Sequence, residues 1–371
     1  MGLIRLLLAF AVIMTHSHPI FGYFFGNPVV AVRAFFIISG FYMALILESK
    51  YKDYRKFFVS RFLRIYPIYL MVLILTILFS LSTHLLGGSW GEMQAIVSNF
   101  GQFNWLSVVW LGFSNLFVFG RDILMFLFLN PANGLFTYHT VGVPTSYFLL
   151  IPQAWTIILE IVFYLIVPFI IKKRTWIIVA LMIFSLAIRQ VVLSAGLSTV
   201  SWNYMFFPSE FIFFASGILA FRLYRRIKFE PKISRAIAVG ASFIVVSYLA
   251  FYNYINFDIH INARMLGVLL PKEILFYLIF ILYLPFIFIL SQKSELDRKI
   301  GELSYPVYIT HILVLSVIYP KIFNALKIKS DYLSLVAFII AVGLSLLLNK
   351  YIQGPIDNFR HTRLLKAQPK S

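Results

Sequence analysis

The sequence predicts an all-α, polytopic membrane protein of about ten transmembrane helices with both termini cytoplasmic. Three observations carry this. Hydrophobic residues make up 61% of the 371 positions and the mean hydropathy is +0.88, whereas a soluble chain of this length needs far more polar surface around its core. Charged residues are only 12% of the chain, clumped between long apolar runs. Those runs approach the ~20 residues that a helix needs to cross ~30 Å of hydrocarbon.

Taken in order, the spans fall at 3–20, 29–48, 62–82, 152–171, 175–195, 207–224, 236–255, 273–291, 303–322 and 332–352. The opening MGLIRLLLAFAVIMTHSHP has the outline of a signal peptide with Arg5 at its basic end. No small-x-small site follows, and His16 and His18 interrupt the run, so it reads as the first helix. The stretch 93–130 is apolar too, but Gly101, Gly112 and Gly120 punctuate it and Arg121 and Asp122 lie within it. With 93–130 contributing an even number of crossings and the N-terminus inside, 24 of the 32 Lys and Arg residues face inward. Six face outward (Arg121, Arg264, Lys272, Lys321, Lys327, Lys329), and Arg33 and Arg189 lie within the membrane. One crossing would instead put Arg222 to Arg235 outside. The excess of inward positive charge therefore favours ten spans, with 93–130 a re-entrant or surface-lying element of the outer face.

The connector 131–151 carries no Lys or Arg and suits an outer loop over a site. No internal repeat or second soluble domain is visible, so residues 1–355 read as one membrane domain and 356–371 as a short basic cytoplasmic tail. The net charge of +18 sits in connectors, where it sets topology beside anionic lipid rather than marking a nucleic-acid partner. With no cysteine, disulfides, thiolate metal sites and a cysteine nucleophile are excluded, and no metal site is expected.

Ionisable side chains in a bilayer core cost a few kcal/mol or more and face cavities or sites. His16, Arg33, Glu160, Arg189, Glu210 and His311 fall in one slab of the predicted bundle, where charges can pair. A histidine near a helix end is also an ordinary interfacial residue, and a buried glutamate is often an ion-pair partner or a proton carrier. Burial alone therefore leaves an enzyme and a transporter equally open. Arg61 and Arg64, at i and i+3, project from one helix face at the inner surface. The pair suits bidentate phosphate binding and equally suits a topology anchor.

Five segments together resemble the membrane acyltransferase family 3, polytopic enzymes that O-acylate bacterial polysaccharides and related glycans. RLLLAFAVIMTH places Arg5 and His16 on the family's opening motif, and FFIISGF, with Ser39, matches its aromatic pair and Ser-Gly-Phe. RFLRIYP supplies the basic pair Arg61 and Arg64. AWTIILEIVFY aligns Trp155, Glu160, Phe163 and Tyr164, and ELSYPVYITH aligns Ser304, Tyr305, Tyr308 and His311. The sequence departs from the pattern at Arg33, where many members are acidic, at Thr156 for serine, and at Gln353 for a glutamate.

The resemblance implies a multi-pass protein of the bacterial cytoplasmic (inner) membrane. It would transfer an acyl group, acetyl by default, from cytoplasmic acyl-CoA to a hydroxyl of a cell-surface glycan or its lipid-linked precursor, the O-acetylation of a polysaccharide. Acyl-CoA is then a donor substrate, no cofactor stays bound, and the partners are acyl-CoA, the saccharide acceptor and membrane lipids. Arg5, Arg61 and Arg64 would hold the donor phosphates. His16 would act as general base or covalent relay, with Glu160 orienting its imidazole. Tyr164, Ser304 or Tyr305 would donate to the oxyanion, with Arg33, Ser39, Trp155 and His311 in support. The competing reading is a proton-coupled exporter of a glycolipid or amphiphile using His16 and Glu160. Such an exporter commonly shows two related halves, which the sequence lacks. Outer aromatics including Trp90, Trp105, Tyr138 and Tyr147 suit a sugar platform and an interfacial belt equally.

Overall fold

A computed structural model describes residues 1–49, 53–138, 141–197, 200–227, 231–256, 271–318, 329–360 and 362. The basic residues Lys50, Arg264, Lys321 and Lys327 and most of the expected tail lie outside these residues. Each expected span falls on a helix: α1 (Gly2–Thr15), α2 (Pro28–Ser49), α3 (Tyr54–Leu85), then, after the outer segment and its helix α4 (Trp105–Phe117), α5 (Trp155–Ile170), α6 (Thr175–Ser194), α7 (Phe207–Arg226), α8 (Pro231–Phe251), α9 (Pro271–Ser291), α10 (Glu295–Leu313) and α11 (Leu333–Leu348). Among the described residues, eight helices are long and apolar enough to cross a membrane. α1 falls short because it ends at Thr15 rather than 20: His16 Nδ1 and Ser17 Oγ bond back to the carbonyls of Val12 and Ile13, which closes the last turn before Pro19. α10 starts eight residues before the expected span, where Ser294 caps it by accepting from the Asp297 amide at 3.1 Å.

Local chemistry fixes other ends in the same way. Asp53 caps α3 through the Arg55 amide, and Asn104 caps α4 through the Leu106 amide. The first amides of α1 are capped by a distant residue: Gly2 and Leu3 donate to the Asp297 carboxylate at 2.7 and 3.0 Å. Two close crossings need glycine. A Cβ on Gly40 of α2 would lie 2.0 Å from the Phe214 carbonyl oxygen of α7, and one on Gly217 would lie 2.0 Å from that of Ile37. Where Gly2 of α1 meets α10, a Cβ would fall 1.7 Å from the Asp297 carbonyl oxygen. Small residues bring helix backbones together in lipid, where apolar burial between helices adds little.

The segment 93–151, read from sequence as a re-entrant or surface-lying element over 93–130 followed by an outer loop, has more local structure than that reading specified. It carries α4, short helical turns, and a three-stranded sheet of β1 (Phe128–Leu129), β2 (Phe136–Thr137) and β3 (Val143–Pro144), ordered β2-β1-β3 and antiparallel throughout. Two-residue strands carry too little alternation to be read from sequence. Arg121 ties this cap to the bundle. Positive φ at Val118 and Gly120 reverses the chain, and the buried guanidinium donates to the Tyr69 hydroxyl at 2.8 Å, to Asn115 Oδ1 at 3.1 Å and to the Ile151 carbonyl. At the opposite, basic end, the π-helical turn Asn349–Gln353 redirects the chain into α12 (Gly354–Arg360), which packs on α3. The expected tail thus begins as an ordered helix.

Candidate active site

A cavity of about 860 Å³ opens at the basic end and reaches the middle of the bundle. Its wall on α2 runs from Ser49 to Val32, about 25 Å at 1.5 Å per residue. Near the mouth it is lined by Asp297, Arg298, Asn358 and Arg360, and at its depth by Phe35, Thr156 and Tyr308. Arg5 from α1 and Arg61 and Arg64 from α3 all line it. The predicted cationic trio therefore converges, although Arg5 lies 56 and 59 residues from the other two in the chain. Among the described residues neither Arg5 nor Arg64 forms an ion pair, while Arg61 also lies over the Phe57 ring at 6.0 Å. Guanidiniums facing a cavity suit an anion, and Glu160, Asp297, Glu302 and Asp357 line the same cavity.

Glu160 and Ser39 line the same cavity, and the carboxylate accepts from Ser39 Oγ at 2.7 Å and from the Tyr164 hydroxyl. The expected contact of Glu160 with His16 is not formed: Glu160 lines the cavity, His16 does not, and the hydrogen bonds of Glu160 go to these two hydroxyls. The three expected oxyanion donors are also committed elsewhere. Tyr164 donates to Glu160, Ser304 Oγ to the Gly301 carbonyl at 2.7 Å, and the Tyr305 hydroxyl to the Ile65 carbonyl at 2.9 Å.

His16 sits outside that cavity, exposed at the end of α1. Its ring centroid is 5.1 Å from that of His311 at an interplanar angle of 69°. Each imidazole is held through Nδ1, His16 to the Val12 carbonyl at 3.0 Å and His311 to the Tyr308 carbonyl. A carbonyl only accepts, so Nδ1 carries the proton of each neutral ring and Nε2 carries the lone pair. The His311 Nε2 is buried and makes no hydrogen bond among the described residues. Tyr308 stands between the cavity and the imidazole pair. Its hydroxyl donates to the Gln153 carbonyl at 3.3 Å and accepts from Thr156 Oγ1 at 3.2 Å. Trp155 braces this wall, edge-on to Tyr204 at 4.6 Å. The sequence reading missed Gln153, whose Nε2 donates to the Ile309 carbonyl at 2.6 Å and so joins α5 to α10. An uncharged glutamine ahead of a helix gives no sequence signal of that role.

Arg33 belongs to neither feature. It donates to both oxygens of Glu210, at 3.1 and 3.0 Å, and to Glu273 at 3.3 Å, while Arg189 donates to Glu210 at 2.8 Å. Two guanidiniums and two carboxylates, all buried, close a neutral cluster among α2, α6, α7 and α9. The slab of charges expected from sequence is thus three separate groups. Glu273 escaped notice because it lies beside Lys272 in the first turn of its helix and reads as an end charge.

A family model described as an acyltransferase domain matches residues 1–350. No curated protein and no solved structure matches the chain. The match takes in α1 to α11, the cationic cavity and the imidazole pair, and the chain belongs to acyltransferase family 3 as a multi-pass membrane acyltransferase.

Proposed function

We propose that this acyltransferase moves an acyl group, acetyl by default, from cytoplasmic acyl-CoA to a hydroxyl of a cell-surface glycan or its lipid-linked precursor, in the bacterial inner membrane. The observation that carries the reading is the deep cavity at the basic end, lined by Arg5 and Arg64, neither of which forms an ion pair among the described residues. The basic end is the cytoplasmic one by the distribution of Lys and Arg, which is the side that holds acyl-CoA. The donor phosphates bind Arg5, Arg61 and Arg64 by charge-assisted hydrogen bonds. The narrow arm of the donor then extends along α2 and brings the thioester to Tyr308.

The acceptor hydroxyl approaches from the other face, where His16 is exposed. His16 Nε2 takes the hydroxyl proton, the oxygen bonds to the acyl carbon and the carbon–sulfur bond breaks. The thiolate leaves with a proton returned from the imidazole. Tyr308 must yield for the thioester to meet the hydroxyl. Glu160 acts within the donor cavity, holding Ser39 and Tyr164 on the wall beside the arginines.

Isothermal titration of coenzyme A into the protein in nanodiscs tests the donor half. Saturable binding that weakens at least tenfold in Arg64→Ala supports the assignment. Wild-type protein that binds no coenzyme A, or an Arg64→Ala variant that binds it equally, contradicts it.

A further inference from the structure

His311 is one turn beyond Tyr308 on α10, buried, with its Nδ1 bound and its Nε2 unpartnered among the described residues. An unpaired acceptor in such a place ordinarily carries an energetic penalty. Its nearest ring is His16, which is tied through Nδ1 in the same way. We propose that His311 is the second station of the transferred proton: its Nε2 accepts a hydrogen bond from the His16 imidazolium formed when the acceptor hydroxyl is deprotonated. This rests on the acyl-transfer reading above. In the step, the hydroxyl proton moves to His16 Nε2 and is shared with His311 Nε2. The acyl carbon exchanges its sulfur for the acceptor oxygen, and the departing thiolate takes the shared proton, leaving both imidazoles neutral. His311 acts through His16 and is a positioning residue.

The surroundings leave the pair to itself. On α2, Arg33 is paired with Glu210 and Glu273. On α5, Glu160 is bound by Ser39 and Tyr164. On α3, the Tyr69 hydroxyl donates to the Asn115 carbonyl and accepts from Arg121. In the outer segment, Glu92 is half-buried, and Ser316 Oγ donates to the Ile312 carbonyl at 2.8 Å. Within α10, Tyr305 and Tyr308 donate to carbonyls, α11 holds no ionisable group, and His18 is exposed.

His311→Asn tests this, because the asparagine amide can still donate to the Tyr308 carbonyl while no Nε2 remains. The pH dependence of kcat/KM is measured for wild type and variant, with acetyl-CoA affinity as a check on folding. Loss of the acceptor for its cation makes His16 harder to protonate, so the acid limb of the variant moves to lower pH, by about one unit. At the plateau kcat falls about 100-fold with KM for acetyl-CoA within twofold. A variant whose acid limb keeps the wild-type midpoint, whatever its kcat, overturns the role. Should His311→Asn fail to fold, His311→Leu gives the second reading, since it keeps bulk in the bundle and holds no acceptor at the Nε2 position. That variant must lose at least as much kcat, and one with near wild-type rate overturns the proposal. Wild-type protein that binds coenzyme A yet transfers nothing removes the acyl-transfer reading and this inference with it.

Discussion

Arg33 donates to both carboxylate oxygens of Glu210, a residue 177 positions further along the chain, and Glu210 in turn receives Arg189. Every member of this cluster is withdrawn from solvent, and removing one partner strands charge in the bundle. Breaking a buried pair costs about 3–5 kcal/mol. Glu210→Ala, which leaves two guanidiniums to share Glu273, is expected to lower the thermal midpoint in detergent sharply or to prevent accumulation. Glu273→Gln leaves Arg33 with Glu210 and is expected to cost much less. Fluorescence-detected size-exclusion thermostability distinguishes the two, and equal losses would contradict the geometry.

The α2–α7 crossing predicts a second contrast. Gly40→Ala places its methyl 2.0 Å from the Phe214 carbonyl oxygen, so the helices must part, at about 1–3 kcal/mol. Gly240→Ala in α8 meets nothing within 4 Å and is expected to be neutral or to stabilise slightly through helix propensity. The same thermostability assay reads both.

How much of this was legible in the sequence follows the physics of each feature. The helical spans follow from hydrophobic runs, because length in lipid is a local property, and the meeting of Arg5 with Arg61 and Arg64 was implied by the family resemblance rather than by the runs. The sheet between Phe128 and Pro144 was not legible, since its pairing is non-local and its strands are two residues long. Nor was the partner of Arg33: Glu210 was visible as an intramembrane carboxylate, but which charges meet depends on helix rotation. The same dependence separates Glu160 from His16 and brings His311 to His16 instead. Motif order carried the identity of these residues and not their neighbours.

Arg64 predicts a binding phenotype. It forms no ion pair among the described residues, so Arg64→Ala removes attraction for the donor without stranding a buried acid. Charge-assisted hydrogen bonds contribute about 1.5–3 kcal/mol, so KM for acyl-CoA is expected to rise roughly 10- to 100-fold with a smaller change in kcat. Arg64→Lys keeps the charge but loses the bidentate fork, and is expected to fall between. A variant with unchanged KM and reduced kcat would place Arg64 outside the donor site.

The central claim is that His16 is the base in transfer of an acyl group from acyl-CoA to a glycan. Membranes holding equal amounts of wild type or His16→Ala are supplied with radiolabelled acetyl-CoA, and label is followed into the glycan fraction of the host. Label that enters with wild type and falls at least 100-fold with His16→Ala is the result predicted. Label retained by His16→Ala would remove His16 from the chemistry. Absence of wild-type label from acetyl-CoA and longer acyl-CoAs, in a host that carries the acceptor, would contradict the proposed transfer itself.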